Sequence, residues 1–517
     1  MSENRTLSIA SSLASRMALP LAALTGGLTA WLAFAPLGQA WFAFCAMAVL
    51  ARLVAAQARA TRAALLGFAF GLAYFLVGVG WVRISLHDFG GMPAHLAWFS
   101  ALLFCLYLAL WPALAAGITM ALRPAGALSF ASVFAAAWSF TEYLRAHLWT
   151  GFEWLSIAQS QAPEGPLAGF LPLFGGFGTA FLLTLAASLV AFALLPVPQA
   201  GPGTARDRLG WLAGATGVLL SAAAVSRIDW AQPAGTPLRV SLLQGNVAQS
   251  IKWEPEKLSA TLALYERLTA QATGQLIVLP ETALPTPLHR VDPAYLERLR
   301  NLAATRGANL LLGVPVLEQG RYYNAVVSLG SEPSQIYRKV HLVPFGEFMP
   351  LRWALGWFYA NVTIPMSDFS PGRIDQPLLT LNGQRLGISI CYEDAFARDV
   401  HRTMPDATLF VNVSNDAWFG KSRAAEQHLQ LAQMRAREFA RPMLRANNTG
   451  ITAILDSRGR VLDRLPAWET GILEAEIRGA QGYSPYTLWG DLPALLVLLT
   501  VLGIATVQRL RGPSKAT

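Results

Sequence analysis

The hydrophobic pattern of this chain changes period twice. Up to about residue 226, and again after residue 486, apolar positions run on with few polar breaks, long enough for helices to cross a hydrocarbon layer of ~30 Å. Runs at 17–36, 39–56, 63–82, 95–122, 126–147, 167–195, 209–225 and 486–507 predict about eight such helices. Between residues 238 and 480 the pattern shortens. Apolar runs of strand length there alternate with amphipathic helical stretches, which predicts an α/β domain. Strands are expected at 238–244, 276–279, 309–314, 325–329, 386–390, 409–413 and 452–455, and helices at 255–272, 293–306 and 424–439. The expected organisation is a seven-span membrane domain over 1–228, an α/β domain over 229–483, and a last span with a short tail over 484–517. Pro- and Gly-rich segments at 199–203 and 232–237 read as a loop and a linker. Neither an internal repeat nor a Gly-rich phosphate loop stands out.

Composition sharpens this division. Of 517 residues, 54% are hydrophobic and only 14% charged, and the mean hydropathy is +0.39, an apolar load that a soluble chain of this size cannot bury. The net charge of +9 invites a nucleic-acid reading, but the placement of the basic residues opposes it. Arg5 and Arg16, Arg52, Arg59 and Arg62, Arg123, Arg206 and Arg208, and Arg509, Arg511 and Lys515 occupy alternate loops and both termini. That is the asymmetry of cytoplasmic loops. It places both termini in the cytoplasm and residues 228–483 outside, in the periplasm of a bacterial host, with no nucleic-acid partner. The first apolar run lacks a convincing cleavage site and is read as a retained span. Of the three cysteines, Cys45 and Cys105 fall inside expected spans, which leaves Cys391 unpaired on the outer side.

Cys391 closes the apolar run Leu386-Gly-Ile-Ser-Ile-Cys391-Tyr-Glu-Asp394, so a thiol is expected at a strand end. Alone, such a cysteine is usually a packed core residue. Two further strand ends carry complementary chemistry: Glu281 follows Leu276-Ile-Val-Leu-Pro280, and Lys339 closes Gln335-Ile-Tyr-Arg-Lys339. A nucleophile, a base and a cation form the set that acyl transfer through a thioester requires. Glu393 and Asp394 would raise the thiol pKa, and the Lys339 ammonium would offset them and stabilise an oxyanion. Pro280 holds Glu281 at the sheet edge, against its bland reading as a surface acid. Glu347, in the apolar loop His341-Leu-Val-Pro-Phe-Gly-Glu347, is expected to orient Lys339 or assist proton transfer. Asn415, Asp416, Trp418 and Phe419 follow another strand; Asp416 alone reads as a local hydrogen-bonder in a turn, while the aromatics favour a lipid-facing loop. The aromatics of Leu351-Arg-Trp353-Ala-Leu-Gly-Trp357-Phe358-Tyr359 read equally as domain core and as an arm on the membrane. His341, His401 and His428 lack metal-ligand spacing, so neither metal nor cofactor is expected.

Glu281, Lys339 and Cys391, in that order and at those separations, resemble the Glu-Lys-Cys triad of the nitrilase superfamily. The words His341-Leu-Val-Pro-Phe-Gly-Glu-Phe, Ile390-Cys-Tyr-Glu, Ser414-Asn-Asp-Ala-Trp-Phe-Gly-Lys and Arg441-Pro are similar to those of the apolipoprotein N-acyltransferase family of bacterial inner-membrane enzymes. The resemblance covers the whole chain and implies a polytopic α-helical membrane domain joined to a four-layer αββα sandwich. It implies a ping-pong reaction in which Cys391 takes an acyl chain from a phospholipid, typically phosphatidylethanolamine. The resulting thioester is then attacked by the α-amine of a diacylglyceryl-cysteine apolipoprotein. Carried over by position, Glu281 is the base, Lys339 the electrostatic stabiliser and Cys391 the nucleophile. Glu347, Tyr392 and Glu393 support them, and Trp253, in Ile251-Lys-Trp253, matches a functional tryptophan. Asn415 and Trp418 complete the expected substrate-binding set. Two departures, Leu279 before Pro280-Glu281 and Val340 between Lys339 and His341, bear on substrate preference more than on chemistry. A membrane-anchored amidase with the same triad is the competing expectation, although one anchor helix would suffice for it. A transporter with a regulatory domain is a third, opposed by charges that sit mostly at span ends.

Overall fold

The computed structural model describes residues 18–195, 203–350 and 368–511. The chain divides into two compact units. One comprises Met1–Gly80, Phe99–Ile228 and Trp489–Thr517, and the other Trp81–Trp98 and Asp229–Leu488.

The first unit is helical because its apolar runs leave the backbone only itself to hydrogen-bond with in a hydrocarbon setting. Its helices are α1 (Ala18–Trp31), α2 (Trp41–Ala55), α3 (Ala60–Val79), α4 (Ala94–Leu122), α5 (Ala127–His147), α6 (Leu171–Leu194), α7 (Ala205–Val225) and α11 (Leu492–Arg511). Among the described residues, five helices are long and apolar enough to cross a membrane: α3, α4, α6 with the short turn before it, α7 and α11. The helices α1 and α2 are shorter, and α5 carries Glu142 and Arg145 in its last turns, both buried. The helix α6 bends at Gly175, whose φ of 62° and ψ of −165° leave helical space. The expected last span at 486–507 is displaced. A separate short helix, Pro485–Trp489, buries Tyr486 in the core of the α/β unit, and α11 begins only at Leu492.

Two six-stranded sheets build the second unit, ordered β12-β1-β2-β3-β4-β5 and β11-β10-β9-β8-β7-β6. Within the first, β1 (Gln232–Gln244), β2 (Leu276–Val278) and β3 (Asn309–Glu318) run parallel, and β12 (Gly471–Gln481), β4 (Arg321–Gly330) and β5 (Ile336–Arg338) close it in antiparallel fashion. Within the second, β7 (Gln384–Ile390), β8 (Leu409–Ser414) and β9 (Met443–Asn447) are parallel, flanked by β6 (Leu379–Leu381), β10 (Ala453–Leu455) and β11 (Val461–Arg464). Every residue of β8 and β9 is buried, as parallel strands covered on both faces must be. The helices α8 (Pro255–Gln271) and α9 (Pro293–Ala304) bury Tyr265, Leu268, Tyr295 and Leu299 in a core with β2, β3 and β4. The helix α10 (Ala424–Phe439) packs Leu429, Ala432, Ala436 and Phe439 into a second core with Phe410, Met443 and Leu455. The result is the α/β architecture expected for the middle of the chain.

Trp81–Trp98 was expected within the membrane domain but groups with the α/β unit. A helical turn at Val82–Ile84 continues into a π-helical turn, Ser85–Phe89, a rare form that is frequent at functional sites.

Candidate active site

Parallel strands direct their carboxyl ends to one edge of a sheet, where side chains from several strands converge. β2 runs through Leu279 and Pro280 into Glu281, β7 into Cys391, β8 into Asn415, β9 into Asn448, and β5 into Lys339. Ile390 pairs with Val413, and Val413 with Ala446, so the residues that follow these strands lie side by side.

Cys391 and Thr282 are both non-glycine residues with φ in the left-handed region, 53° and 45° respectively. For a β-branched threonine this is a genuine outlier, and such strain persists only where the surroundings over-determine it. At Glu281 the restraint is visible. A Cβ at Gly313 of β3 would stand 2.8 Å from the Glu281 Cα and 2.9 Å from the Thr282 nitrogen, so the turn lies flush against a glycine.

The carboxylate of Glu281 accepts a hydrogen bond of 2.7 Å from Asn324 Nδ2 and lies 3.7 Å from Lys339 Nζ. The same Lys339 ammonium, only 1% exposed, sits 2.8 and 2.9 Å from the two oxygens of Glu347. Glu347 also accepts from Asn324 Nδ2 at 2.8 Å and from the Val343 N–H at 2.8 Å. One ammonium and one amide therefore hold two carboxylates. Burial alone would depress Lys339, but Glu347 and Glu281 outweigh it and raise its pKa. Burial raises Glu281 above the usual carboxylate range, opposed by Lys339, the Asn324 hydrogen bond and Lys252, and reinforced by Glu347. Burial, and then the charge of Glu281, push the Cys391 thiol well above its ordinary value, with Lys339 pulling the other way. Burial thus favours the neutral thiol, and any attack by it would need a base to take its proton.

Glu393 joins the cysteine turn to the lysine strand. Its carboxylate accepts from the N–H groups of Val340 at 2.7 Å, His341 at 3.0 Å and Ile390 at 2.7 Å, and from the Tyr337 hydroxyl at 3.1 Å. Burial pushes it up to about 7 against the pull of Lys339 and these donors. Tyr392 packs edge-on against His341, at 5.8 Å, and Phe396, at 4.8 Å. The His341 ring stacks on Phe396 at 3.9 Å and reaches Asp399 at 2.7 Å.

Behind the cysteine lies a buried ring of charges. His428 bridges Asp394 and Asp416, each at 2.8 Å. Arg445 bridges the same two carboxylates at 3.0 and 3.1 Å. His428 Nε2, at 3.3 Å, and Asn412 Nδ2, at 3.2 Å, both point at the Cys391 carbonyl. Burial and Arg445 would lower His428, yet Asp394 and Asp416 raise it to about 9. Asp416 falls to about 2 because His428 and Arg445 outweigh its burial.

Of the expected substrate-binding residues, Asn415 is buried and its amide is engaged inside the protein: Nδ2 donates to Gln249 at 2.8 Å, and Oδ1 accepts from Asn448 at 2.9 Å. It ties the 247–253 loop to the 415–420 loop. Trp253 is half-buried, and its buried indole N–H has no hydrogen-bond acceptor among the described residues. Trp418 packs edge-to-face on Phe89 at 6.1 Å, its carbonyl accepts from Ser85 at 2.7 Å, and Phe419 meets Trp81 at 4.6 Å. The aromatics read as a lipid-facing loop are thus packed on Trp81–Trp98. The Leu351–Tyr359 aromatics lie outside the described residues.

Asn324, Lys252, His428 and Arg445 were not foreseen as parts of this site, and Asp394 was foreseen only as an acidic neighbour of the thiol. Asn324 is a lone amide in the apolar strand β4, and Arg445 a lone cation in the buried strand β9, each a polar residue where the pattern demands apolar ones.

The carbon-nitrogen hydrolase family model matches residues 239–483, and the apolipoprotein N-acyltransferase N-terminal domain model matches residues 26–189. The apolipoprotein N-acyltransferase of Nitrosomonas europaea is 42% identical over 93% of this chain and 96% of its own. That of Methylococcus capsulatus is 42% identical over 96% and 97%. This chain belongs to the apolipoprotein N-acyltransferase family. Among solved structures, an amidase of the nitrilase superfamily from Nesterenkonia AN1 aligns at 21% identity and a TM-score of 0.38, over 51% of this chain and 97% of that one. Family membership joins the apolar helices and the α/β unit in one enzyme class.

Proposed function

We propose that this membrane enzyme transfers an acyl chain from a phospholipid to the N-terminal α-amine of a diacylglyceryl-cysteine apolipoprotein, through a thioester on Cys391. The observation that carries the mechanism is the Glu281–Lys339–Glu347 cluster at the strand ends beside Cys391. In the first half-reaction the Glu281 carboxylate takes the thiol proton as Sγ attacks the acyl carbonyl. Lys339 stabilises the tetrahedral oxyanion. Collapse breaks the ester bond, and Glu281 returns its proton to the departing alcohol of the lysophospholipid. In the second, the neutral α-amine attacks the thioester and gives a proton to Glu281 as the amide forms. The thiolate leaves and is reprotonated by Glu281. Glu347, Tyr392 and Glu393 position the triad, and Trp253 and Trp418 line the substrate path, with phosphatidylethanolamine the expected donor. A triad that acted on water would make the same thioester and lose it to hydrolysis. Relatives named as N-acyltransferases, matched over nearly their whole length, favour the amine as acceptor over the amidase alternative.

The apolar helices suit lipid substrates, and we read eight membrane spans in the bacterial inner membrane, with the α/β unit in the periplasm and both termini in the cytoplasm. The test of the chemistry is mass spectrometry of the full-length protein after incubation with phosphatidylethanolamine vesicles. A hydroxylamine-labile acyl adduct on the Cys391 peptide is the expected result. Its absence from the wild type, or its presence elsewhere in Cys391→Ala, overturns the assignment.

A further inference from the structure

Lys252 is a second buried lysine beside the triad, only 2% exposed. Its Nζ donates to the Thr282 hydroxyl at 2.7 Å and to the Glu281 backbone carbonyl at 3.2 Å. Those partners are neutral oxygens, a poor reward for burying a full charge, which ordinarily costs several kcal/mol unless a counter-charge is near. The counter-charges that act on it are Glu281 and Cys391. Its two hydrogen bonds fall on the turn that carries Glu281, at the left-handed Thr282, the same backbone that Gly313 closely approaches. The turn is thereby held by both contacts.

Resting on the thioester reading above, we propose that Lys252 is a positioning residue of the acyl-transfer site: it holds the Glu281 turn in its strained conformation and supplies a second positive charge to Glu281 and Cys391. Lys339 is neutralised largely by Glu347, with which it makes its shortest contacts. Lys252 has no carboxylate within ion-pair distance among the described residues, so its field reaches the base and the thiol unspent. Burial lowers its pKa to about 8 against the pull of Glu281 and Cys391. Its charge is thus retained through neutral pH. As the proton passes from Cys391 to Glu281, the negative charge moves from one of its neighbours to the other, so the ammonium acts on the charge before and after the transfer. Lys252 also precedes Trp253, so the same contact ties the loop bearing that tryptophan to the base.

Two readouts on the full-length protein test this. In the first, alkylation of Cys391 by iodoacetamide is followed against pH at the peptide level, which needs no lipid and does not depend on the transfer reaction. Lys252→Met should raise the apparent pKa of the Cys391 thiol by on the order of one unit, and so slow alkylation about tenfold at neutral pH. Lys252→Arg should stay close to wild type. In the second, the acid limb of Cys391 acylation from phosphatidylethanolamine should move to higher pH in Lys252→Met, because Glu281 loses a cation that favours its ionised form. Should Lys252→Met fail to fold, Thr282→Val keeps the charge and removes the hydroxyl. It should slow acylation about tenfold with the limb unmoved, while Thr282→Ser restores the rate. An unmoved thiol pKa and an unmoved limb in folded Lys252→Met overturn the proposal, as does a Thr282→Val protein that acylates like the wild type. Wild-type protein that is alkylated at Cys391 yet never acylated overturns the acyl-transfer reading instead, and leaves the alkylation comparison to decide the role of Lys252.

Discussion

At the scale of single residues the site is governed by burial. Cys391 is protonated at rest because its surroundings penalise a thiolate, and Glu281 is held above the ordinary carboxylate range for the same reason. In the proposed reaction the raised pKa makes Glu281 a stronger base than an exposed carboxylate, while the raised thiol pKa makes a base necessary. Glu281 must be ionised to act, so acylation should fall as pH drops through its raised pKa, and the acid limb should lie above the value of about 4.3 typical of a free glutamate. Glu281→Gln should cut acylation on the order of a hundredfold or more and abolish that limb, measured by single-turnover formation of the Cys391 adduct. Lys339→Met differs in kind. It removes the oxyanion's cation and leaves Glu281 and Glu347 as adjacent buried carboxylates, so it should lose a similar factor in rate and also about 3–5 kcal/mol of stability by denaturant unfolding. Cys391→Ser, an alcohol in place of the thiol, should acylate barely at all.

At the scale of elements, the ring of Asp394, His428, Asp416 and Arg445 connects the turn after β7 with α10, β9 and the loop after β8. Removing one member strands charges in a dry interior, so His428→Gln should cost about 3–5 kcal/mol near pH 6. The pH dependence has a definite sign. The folded-state pKa of His428 is raised to about 9 from 6.5, so its contribution is complete below about 6.5 and is lost as pH rises through 9. The stability gap between wild type and His428→Gln should therefore narrow between pH 6 and pH 9.5, and a constant gap would remove the imidazolium from the account. The ring as a unit was hidden from the sequence, and the reason is physical. Its members lie after β7, after β8, within β9 and on α10, and no local pattern joins a lone histidine or arginine to carboxylates so far away along the chain. The triad was legible because each member ends an apolar run that stops abruptly at a polar residue. The same cue exposed β2, β3, β7 and β8, whose burial makes them continuous apolar runs. It failed for β9, where Arg445 interrupts the run, and for β6, which is only three residues long. The Arg441 guanidinium is buried and donates to the carbonyls of Ala407 and Gly482, which fastens the chain ahead of the last helix.

At the scale of the whole molecule, the proposed reaction depends on which side of the bilayer the α/β unit occupies. Apolar runs show where helices form, but the direction of each crossing rests on the basic residues: Arg52, Arg59 and Arg62, then Arg123, then Arg206 and Arg208, recur in every second connection. That periodicity requires an even number of crossings. Two of the eight helices, α1 and α2, are shorter than a bilayer ordinarily asks, and α5 is polar in its last turns. If one of these three failed to cross, every later segment would change sides and the thiol of Cys391 would face the cytoplasm. The test is direct. In a background with Cys45→Ala, Cys105→Ala and Cys391→Ala, which removes all three native cysteines, single cysteines placed at Gln199 and at Ser331 are exposed to a membrane-impermeant maleimide on spheroplasts. Ser331→Cys should label at once, since it lies in the turn between β4 and β5, and Gln199→Cys only after permeabilisation. Labelling of both from the same side would mean that α7, the one long helix described between the two positions, does not cross; the reversed pattern, with Gln199→Cys labelled at once and Ser331→Cys only after permeabilisation, would return the count of eight to the three helices whose length or polarity is marginal.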